Sequence, residues 1–403
     1  MKIKHFILNF LVISIISCSG IVYRDYIRSS IRDFFKTHNE MAAIYKVAVG
    51  ETIYTQGIQG YADRENKILF RQDQKMPIAS VTKTMTAALV LKMQEKGMLT
   101  VHDEVAKYFP DGSEMWGGQK APLWASHVTI HHLLTHTSGL PEYVFAVKFD
   151  PSSDIEQAKK LVFNYACTQP LTSLIRDQYN YSNTNYFILG VILEKITGKD
   201  FAQLLKKELT DTVGLYNTYL PTYKESMQFQ NNELPEAAKR YNALIDFKEE
   251  KVEYSNITPQ VYLVAFSDGG VISTVDDLVK WNNYLHSGRF LSQFSYKLMT
   301  TAYTEDTSSE IKDVKIGYGL KILELPKGHK LFFHPGSAIG IRAETGYSTF
   351  YGMSYAILSN VMQVKSNKYK MRDIKNPELQ IGIEFLADEI YNLMKVAIEL
   401  QRS

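Results

Sequence analysis

Residues 77–97 read PIASVTKTMTAALVLKMQEKG, and this stretch is predicted to form the central helix of the protein. Its apolar residues recur at spacings of three and four and cover almost the whole circumference of a helix. The pattern therefore predicts a helix that is buried on all sides and ends at Gly97. Ser80 and Lys83 lie three residues apart in its first turn, so their side chains share one face. The lysine amine can then accept or relay the proton of the serine hydroxyl.

Two interpretations of Ser80 remain open on this local pattern. As a nucleophile, it would lie where free N–H groups at a helix N-terminus stabilise the oxygen of an attacked carbonyl. As a structural residue, it would cap the helix beside a solvated lysine. The same four-residue spacing recurs from Ser309 to Lys312, in a polar run without an apolar helix behind it. The short motif alone does not decide between the two interpretations.

Length and composition restrict the class of protein. The chain has 403 residues, of which 45% are hydrophobic, so it can bury a large core in two subdomains. The formal net charge is +2, and no basic stripe with interleaved aromatic residues is visible, so nucleic acid is not an expected partner. The sequence has no phosphate-binding or dinucleotide-binding glycine loop, and we predict no cofactor.

Histidine and cysteine residues give little indication of a metal site. His131, His132 and His136 are close in sequence, but no HExxH glutamate accompanies them, so we expect structural hydrogen bonds near the turn at Ser138-Gly139. The chain has two cysteines, which excludes a cysteine-rich zinc site. Cys167 is predicted to be a small buried apolar residue. We therefore predict no metal.

The N-terminus is typical of an export signal. Lys2 and Lys4 precede an apolar run from Phe6 to Ile16, which is shorter than a membrane-spanning helix. The residues from Ile15 to Cys18 resemble a bacterial lipobox, which predicts a lipoprotein signal peptide over residues 1–18 and a lipid anchor on Cys18. An uncleaved signal anchor and an ordinary cleaved signal remain open. All three place the body of the protein outside the cytoplasm, in the bacterial cell envelope.

Strand patterns at both ends of the chain, with helices between them, predict an α+β fold. We predict a sheet domain formed by residues 24–75 and 310–403, and a helical domain formed by residues 76–309 that carries the nucleophile helix. The polar segment from Tyr223 to Phe247 is predicted to be an irregular surface excursion. The expected elements are an amphipathic helix near Arg24 to Phe35, a hairpin over residues 42–57, helices over residues 182–198 and 274–286, a β meander over residues 319–358, and a helix from Asn376 to Leu400.

Further motifs supply the remaining groups that a serine hydrolase needs. Such an enzyme requires a group that takes the nucleophile's proton and two donors for the oxyanion. Tyr181 can share the proton, and Asn183 can orient an acyl side chain. The motifs in chain order are Gly60-Tyr61-Ala62, Ile78 to Lys83, Leu133 to Leu140, Tyr181-Ser182-Asn183, Gly269-Gly270 before Ser273, and His334-Pro335-Gly336. On these motifs the chain resembles the serine β-lactamase-related superfamily, especially class C β-lactamases, D-alanyl-D-alanine carboxypeptidases and esterases.

The resemblance implies a fold and a set of roles. The expected fold is an antiparallel sheet flanked by N- and C-terminal helices, with an inserted helical domain. Ser80 would attack a carbonyl, Lys83 and Tyr181 would manage the protons, and water would hydrolyse the acyl-enzyme. Backbone N–H groups of Ser80 and Ser337 would form the oxyanion hole. The implied substrate-binding residues are Asn183, His334 and Gly336. Which of Lys83 and Tyr181 is the general base remains open.

The third motif departs from the Lys-Thr-Gly of most β-lactamases. His334 is mostly neutral at pH 7, and Pro335 offers neither a hydroxyl nor an N–H group. The motif is expected at the end of a strand, with Pro335 at a strand edge. We therefore predict weak or no β-lactamase activity, and an exported serine hydrolase that acts on D-amino-acid peptides, esters or related amides. The alternative is a penicillin-binding-like sensor or inert scaffold.

Overall fold

The computed structural model describes residues 25–26, 28–34, 36–38, 42–144, 146–175, 178–233, 237–246, 251–257, 266–309, 311–363 and 383–400. The predicted export signal, Cys18 and the predicted helix start at Asn376 lie outside these residues. Among the helices of the described ranges, none combines the length and the apolar character that a membrane crossing requires.

The described residues form the following strands and α-helices. The strands are β1 (Ala43–Val49), β2 (Thr52–Gln59), β3 (Tyr61–Asp63), β4 (Ile68–Leu69), β5 (Met76–Pro77), β6 (Tyr241–Asp246), β7 (Lys251–Asn256), β8 (Ile272–Ser273), β9 (Thr304–Glu305), β10 (Lys315–Ile316), β11 (Lys321–Glu324), β12 (Lys330–Ala338), β13 (Ile341–Ser348), β14 (Met353–Ser359) and β15 (Val361–Gln363). The α-helices are α1 (Thr82–Glu95), α2 (Ile130–Thr135), α3 (Ile155–Thr168), α4 (Asn183–Thr197), α5 (Phe201–Leu205), α6 (Asp211–Val213), α7 (Tyr223–Gln230), α8 (Val275–His286), α9 (Gln293–Thr300) and α10 (Ile383–Leu400).

One antiparallel sheet of eight strands organises the described chain. Its order is β2-β1-β14-β13-β12-β11-β10-β9, so strands from both ends of the sequence meet at the β1–β14 pair. The predicted hairpin is confirmed, since β1 and β2 join through Gly50, which adopts the left-handed φ of 55° that a tight turn favours. The predicted meander is also confirmed in β11 to β14.

Both faces of the sheet are covered, and successive residues of a strand enter different cores. In β1, Ile44 and Ala48 belong to the core on the side of the helices, whereas Tyr45 and Val47 belong to the opposite core. This second core includes Ile31 from the N-terminal helical residues and the buried side chains of α10. The α+β architecture, with terminal helices on one face, is therefore confirmed. The boundaries of the two domains stay a prediction.

Helix α1 is buried on every side, as its sequence predicted. All residues from Thr82 to Leu91 are buried, and Gly97 follows the helix with φ 71°. Helices α4 and α8 are likewise confirmed, each with a glycine at or just beyond its C-cap. Helix α1 begins directly after the short turn that carries Ser80.

The prediction for residues 223–247 was wrong. Its first part forms α7, and Thr222 and Glu225 make reciprocal side-chain bonds to each other's backbone N–H group. Its later part forms β6, which pairs with β7 and, in parallel, with β15. Tyr241 on β6 is 1% exposed. Buried aromatic residues are interspersed with polar ones in this segment. Its high average polarity therefore suggested a loop although it contains a helix and a strand.

Candidate active site

A strained turn presents Ser80 in front of α1. Residues Ala79–Val81 form a single 3₁₀ turn that leads directly into the helix. Ala79 adopts φ 46°, a left-handed conformation that costs a residue with a side chain about 1–2 kcal/mol. The turn is held by the short β5–β8 pair and by the Ile78 N–H, which donates to the Val271 carbonyl at 2.9 Å. Ser80 itself is half-buried, so its hydroxyl remains reachable.

Lys83 lies one turn below Ser80 and is fully buried. Its Nζ donates to Ser80 Oγ at 3.0 Å, to Asn183 Oδ1 at 2.6 Å and to the Asp268 carbonyl oxygen at 2.5 Å. The interpretation of Lys83 as a solvated side chain is therefore wrong. The two other acceptors hold the amine against the serine hydroxyl, at a distance that a proton transfer requires.

Tyr181 contacts the same hydroxyl from the other side. Its OH group donates to Ser80 Oγ at 2.7 Å. The ring stacks on His136, with 4.5 Å between the ring centroids, and the Lys83 amine lies 5.0 Å from its centre. His136 is itself fixed, because its Nδ1 accepts from the Ser182 N–H at 3.2 Å. The Tyr-Ser-Asn motif thus enters the site directly before α4, as predicted.

Asn183 is oriented by a carboxylate that the sequence did not reveal. Glu142 Oε2 accepts from both the backbone N–H and the side-chain Nδ2 of Asn183, each at 2.9 Å. With its amide nitrogen engaged in this way, Asn183 directs Oδ1 toward Lys83. Glu142 therefore acts on the site through Asn183 and is a positioning residue.

Asp268 places a second carboxyl beside the lysine. Its Oδ2 accepts from the Tyr143 OH at 2.9 Å, while Oδ1 is buried and has no hydrogen-bond partner among the described residues. Burial raises the pKa of Asp268 to about 6, and the charge of Lys83 partly opposes this rise. The carboxyl consequently changes its charge near neutral pH, next to the amine that contacts Ser80.

Strand β12 packs against the turn that carries Ser80 and continues past the third motif. The motif was expected at a strand end, but β12 runs on to Ala338 and pairs with β13 over its whole length. Strand β11 pairs only with residues 330–333, so among the described strands residues 334–338 have one unpaired side. Ala338 and Ile341 flank a two-residue turn and therefore form a hydrogen-bonded pair between β12 and β13. Hydrogen-bonded and non-hydrogen-bonded pairs alternate along antiparallel strands, so Pro335 and Ser337 lie in non-hydrogen-bonded pairs. Their backbone groups point to the unpaired side of β12.

This register explains the unusual residues of the motif. Pro335 lacks an N–H group at a position where no neighbouring strand needs one, which agrees with the prediction of a local edge. The Ser337 N–H lies on the same unpaired side, where the oxyanion hole was predicted. A Cβ atom on Gly336 would lie 2.3 Å from the Ile78 carbonyl oxygen, so only glycine lets β12 approach the turn before Ser80 this closely.

His334 has the electrostatics of a neutral side chain. It is 5% exposed, and its Nδ1 lies 2.7 Å from the Pro335 carbonyl oxygen, to which it can donate. Burial, reinforced by the charge of Lys83, lowers the pKa of His334 to about 3. The ring therefore carries no charge at pH 7, and it cannot attract a carboxylate as the lysine of a Lys-Thr-Gly motif does.

His131 and His132 make structural hydrogen bonds. His132 contributes to the N-terminal cap of α2, and His131 Nδ1 lies 2.7 Å from the Tyr318 OH. Within the described ranges, no group of three or more metal-ligating side chains comes together. Cys167 is a free, half-buried thiol whose pKa is raised to about 11 by burial. The expectation of structural hydrogen bonds for this segment agrees with the geometry.

Comparison with known proteins assigns the family. The profile of the Beta-lactamase family matches residues 31–375, and the chain therefore belongs to this family. The protein is a β-lactamase-related serine hydrolase, and the resemblance inferred from its motifs is confirmed.

Two relatives of this chain are a penicillin-binding protein and a carboxypeptidase/endopeptidase. Penicillin-binding protein 4* of Bacillus subtilis (strain 168) is 26% identical over 384 residues, which cover 91% of this chain and 77% of the relative. The D-alanyl-D-alanine-carboxypeptidase/endopeptidase AmpH of Escherichia coli (strain K12) is 27% identical over 223 residues, 55% of this chain and 52% of its own length.

A solved structure supports the fold assignment. The D-amino acid amidase from Ochrobactrum anthropi SV3, complexed with D-phenylalanine, superposes with a TM-score of 0.73 at 20% identity. The superposition covers 94% of this chain and 99% of the amidase. At this identity the similarity establishes the β-lactamase-like fold alone.

Proposed function

We propose that the protein hydrolyses D-amino-acid peptides, amides or related esters through an acyl-enzyme on Ser80. The observation that carries the proposal is the pair of contacts on Ser80 Oγ, from Lys83 Nζ at 3.0 Å and from the Tyr181 OH at 2.7 Å. A helix cap needs neither contact. A nucleophilic serine requires a group that takes its proton, and two groups able to do so contact this hydroxyl.

The geometry supports a two-step reaction. Ser80 Oγ attacks the substrate carbonyl while its proton passes to Tyr181 or Lys83, whichever is deprotonated, and the N–H groups of Ser80 and Ser337 bind the oxyanion. The same pair then gives a proton to the leaving amine or alcohol as its bond to the carbonyl carbon breaks. In the second step water loses a proton to this pair, attacks the ester and releases Ser80.

The choice of substrate class rests on the functions that the relatives' names state and on the residues of β12. AmpH is by name a D-alanyl-D-alanine-carboxypeptidase/endopeptidase, and the amidase is by name a D-amino acid amidase. With His334 neutral and Pro335 without a hydroxyl, the site offers little attraction for the carboxylate of a β-lactam. The same holds for the free C-terminal carboxylate of a D-Ala-D-Ala peptide, so we place amides and esters of D-amino acids first, and such peptides and β-lactams after them.

A labelling experiment tests the nucleophile. The purified protein is incubated with a fluorophosphonate or a penicillin, digested and analysed by mass spectrometry, and we expect the adduct on the peptide that contains Ser80. Ser80→Ala should abolish both the adduct and the hydrolysis of p-nitrophenyl esters and D-Ala-D-Ala peptides. Ser309→Ala, in the second copy of the spacing, should leave both unchanged. A stable Ser80 adduct without turnover of any substrate would instead support the sensor or scaffold.

We further propose that the protein is exported and anchored to the envelope by a lipid on Cys18. The proposal rests on the charged and apolar N-terminal pattern and on the lipobox-like residues from Ile15 to Cys18. Cells fed labelled palmitate should label the protein and should fail to label the Cys18→Ser variant. Equal labelling of both forms would exclude the anchor.

A further inference from the structure

A cavity beside the candidate active site has a buried arginine in its wall. It lies between the segment that precedes Ser80, the Gly269-Gly270 segment, the end of β12 and helix α7. Its lining includes Pro77, Phe229, Arg240, Gly270, Ala338 and Ile341. Most of this lining is apolar, so Arg240 supplies the charge of the cavity.

Arg240 is a buried cation without an acidic partner among the described residues. It is 2% exposed. Its Nη1 donates to the Ile339 carbonyl at 2.8 Å and its Nη2 donates to the Gln230 carbonyl, so both contacts are neutral. Its Nε is buried and has no hydrogen-bond partner within the described chain. Desolvation lowers the pKa of Arg240 to about 10, which leaves the guanidinium charged at pH 7.

Such an arrangement is costly unless a ligand completes it. Burying a charge is unfavourable when no opposite charge accompanies it. A guanidinium has five N–H donors, of which the two carbonyl contacts use two, so three remain for a ligand. A carboxylate matches this planar set of donors best, because it can accept two parallel hydrogen bonds.

The cavity adjoins the path that a substrate would take along β12. Ala338 follows Ser337, whose N–H we assign to the oxyanion hole, and it ends the unpaired side of β12. His334 begins that side and lies within electrostatic range of Lys83. Because the leaving group must receive its proton from Lys83 or Tyr181, it lies toward the His334 end. The acyl part of the substrate then extends toward Ala338 and the cavity.

We propose that this cavity binds a carboxylate carried by the acyl part of the substrate, and that Arg240 is the cation that holds it. This inference rests on the proposed hydrolase function of Ser80 and adds a substrate class, acidic acyl groups, to it. Arg240 is then a specificity-determining residue. If its two carbonyl contacts were its whole role, it would only tie helix α7 to the β12–β13 turn.

Matched substrates separate these roles. The substrates are N-malonyl-, N-succinyl- and N-glutaryl-D-Ala-D-Ala, each compared with the same compound in which the acyl carboxylate is replaced by an amide. The three acyl groups place this carboxylate at increasing distances from the scissile bond. We expect kcat/KM of the wild-type enzyme to favour at least one acid over its amide by about 10–100-fold, as a charge-assisted hydrogen bond implies. Arg240→Met should bring this ratio close to one, and Arg240→Lys should retain part of it. Equal rates within every wild-type pair would overturn the proposal.

A binding measurement keeps this proposal distinct from the hydrolase function and from misfolding. If no substrate is turned over, the hydrolase proposal fails, and the carboxylate site is measured on Ser80→Ala by calorimetry with the same acid and amide pairs. Tighter binding of the acid would support the site, and equal binding would exclude it. If Arg240→Met fails to fold, the wild-type ratio and Arg240→Lys decide the outcome.

Discussion

The two sides of Ser80 each contain a buried basic side chain, and the two side chains differ in their hydrogen-bond partners and in their charge. On the α4 side, Lys83 has three oxygen acceptors and lies beside two carboxyl groups, those of Asp268 and Glu142. On the β12 side, His334 faces the carbonyl of the next residue, and its pKa falls to about 3. The first environment is arranged around a cation and exchangeable protons. The second keeps an imidazole neutral.

This difference separates chemistry from substrate selection. Groups on the α4 side contact the nucleophile, so changes there should alter the chemical step. Groups on the β12 side shape the open strand edge along which a substrate lies, so changes there should act chiefly on which substrate is bound. Variants on the two sides can test this division, and their expected effects fall in size from Lys83 to His334.

The largest effect is expected for Lys83→Met. The variant removes the amine that lies 3.0 Å from Ser80 Oγ and fills its volume with an apolar chain. Loss of a proton-transfer group typically costs about 10²–10⁴ in rate, and kcat/KM for D-Ala-D-Ala peptides should fall by this factor. The matched control is Lys312→Met in the second serine–lysine pair, which should keep wild-type rates. A Lys83→Met enzyme with wild-type kcat/KM would remove the lysine from the mechanism.

Tyr181→Phe is expected to have the next largest effect. It deletes one hydroxyl at 2.7 Å from Ser80 Oγ and keeps the ring that stacks on His136. We expect kcat/KM to fall by about 10²-fold, with an unchanged melting temperature. Tyr254→Phe is the control, since Tyr254 begins the second Tyr-Ser-Asn triplet and lies in β7. If both phenylalanine variants have equal activity, the tyrosine hydroxyl carries no step of the reaction.

Local sequence predicted the groups that touch Ser80 but not those that position them. The helix pattern of α1 and the triplet before α4 are local signals, so Lys83 and Tyr181 could be predicted from the residues and motifs around them. Glu142 reaches Asn183 across 41 positions of the sequence, and the Asp268 backbone carbonyl reaches Lys83 across 185. Nothing local to either acidic residue indicates such a contact, because it exists only once the helices have packed.

Two other failures have different physical causes. The capping box from Thr222 to Glu225 was readable in the sequence as a helix start, and the polarity of the segment outweighed it. The His334-Pro335-Gly336 motif was expected at the end of a strand, yet β12 continues through it because the missing N–H of Pro335 faces the unpaired side. In both cases the local pattern was interpreted without knowledge of the elements that pack or pair next to it, and those elements decide the structure.

Glu142→Gln should have an intermediate effect, of about tenfold on kcat. The Glu142 carboxylate accepts from the Val144 N–H through Oε1 and from Asn183 through Oε2, so a glutamine must turn its NH₂ group toward one of these partners. Where the NH₂ group faces the N–H groups of Asn183, it turns the Asn183 amide away from Lys83. Because the change alters orientation and not substrate contact, kcat should fall more than KM rises. A selective rise in KM would instead place Glu142 in substrate binding. Glu225→Gln, which alters a surface cap of α7, should leave kcat and KM unchanged.

The smallest effect is expected for His334→Gln, and its pH dependence distinguishes the two sides of the site. Since the folded pKa of His334 is about 3 and the unfolded value is near 6.5, the folded state binds fewer protons between these pH values. Neutral His334 therefore contributes stability above pH 6.5 that is lost as the pH falls toward 3. As the pH falls from 6.5 to 3, the melting temperature of His334→Gln should therefore decrease less than that of the wild-type protein. At pH 7, kcat/KM of the variant for neutral peptides should stay within about threefold of the wild-type value. A pH–rate profile that loses an ionisation between pH 5 and 8 in this variant would show that His334 titrates during catalysis, and the division between the two sides would fail.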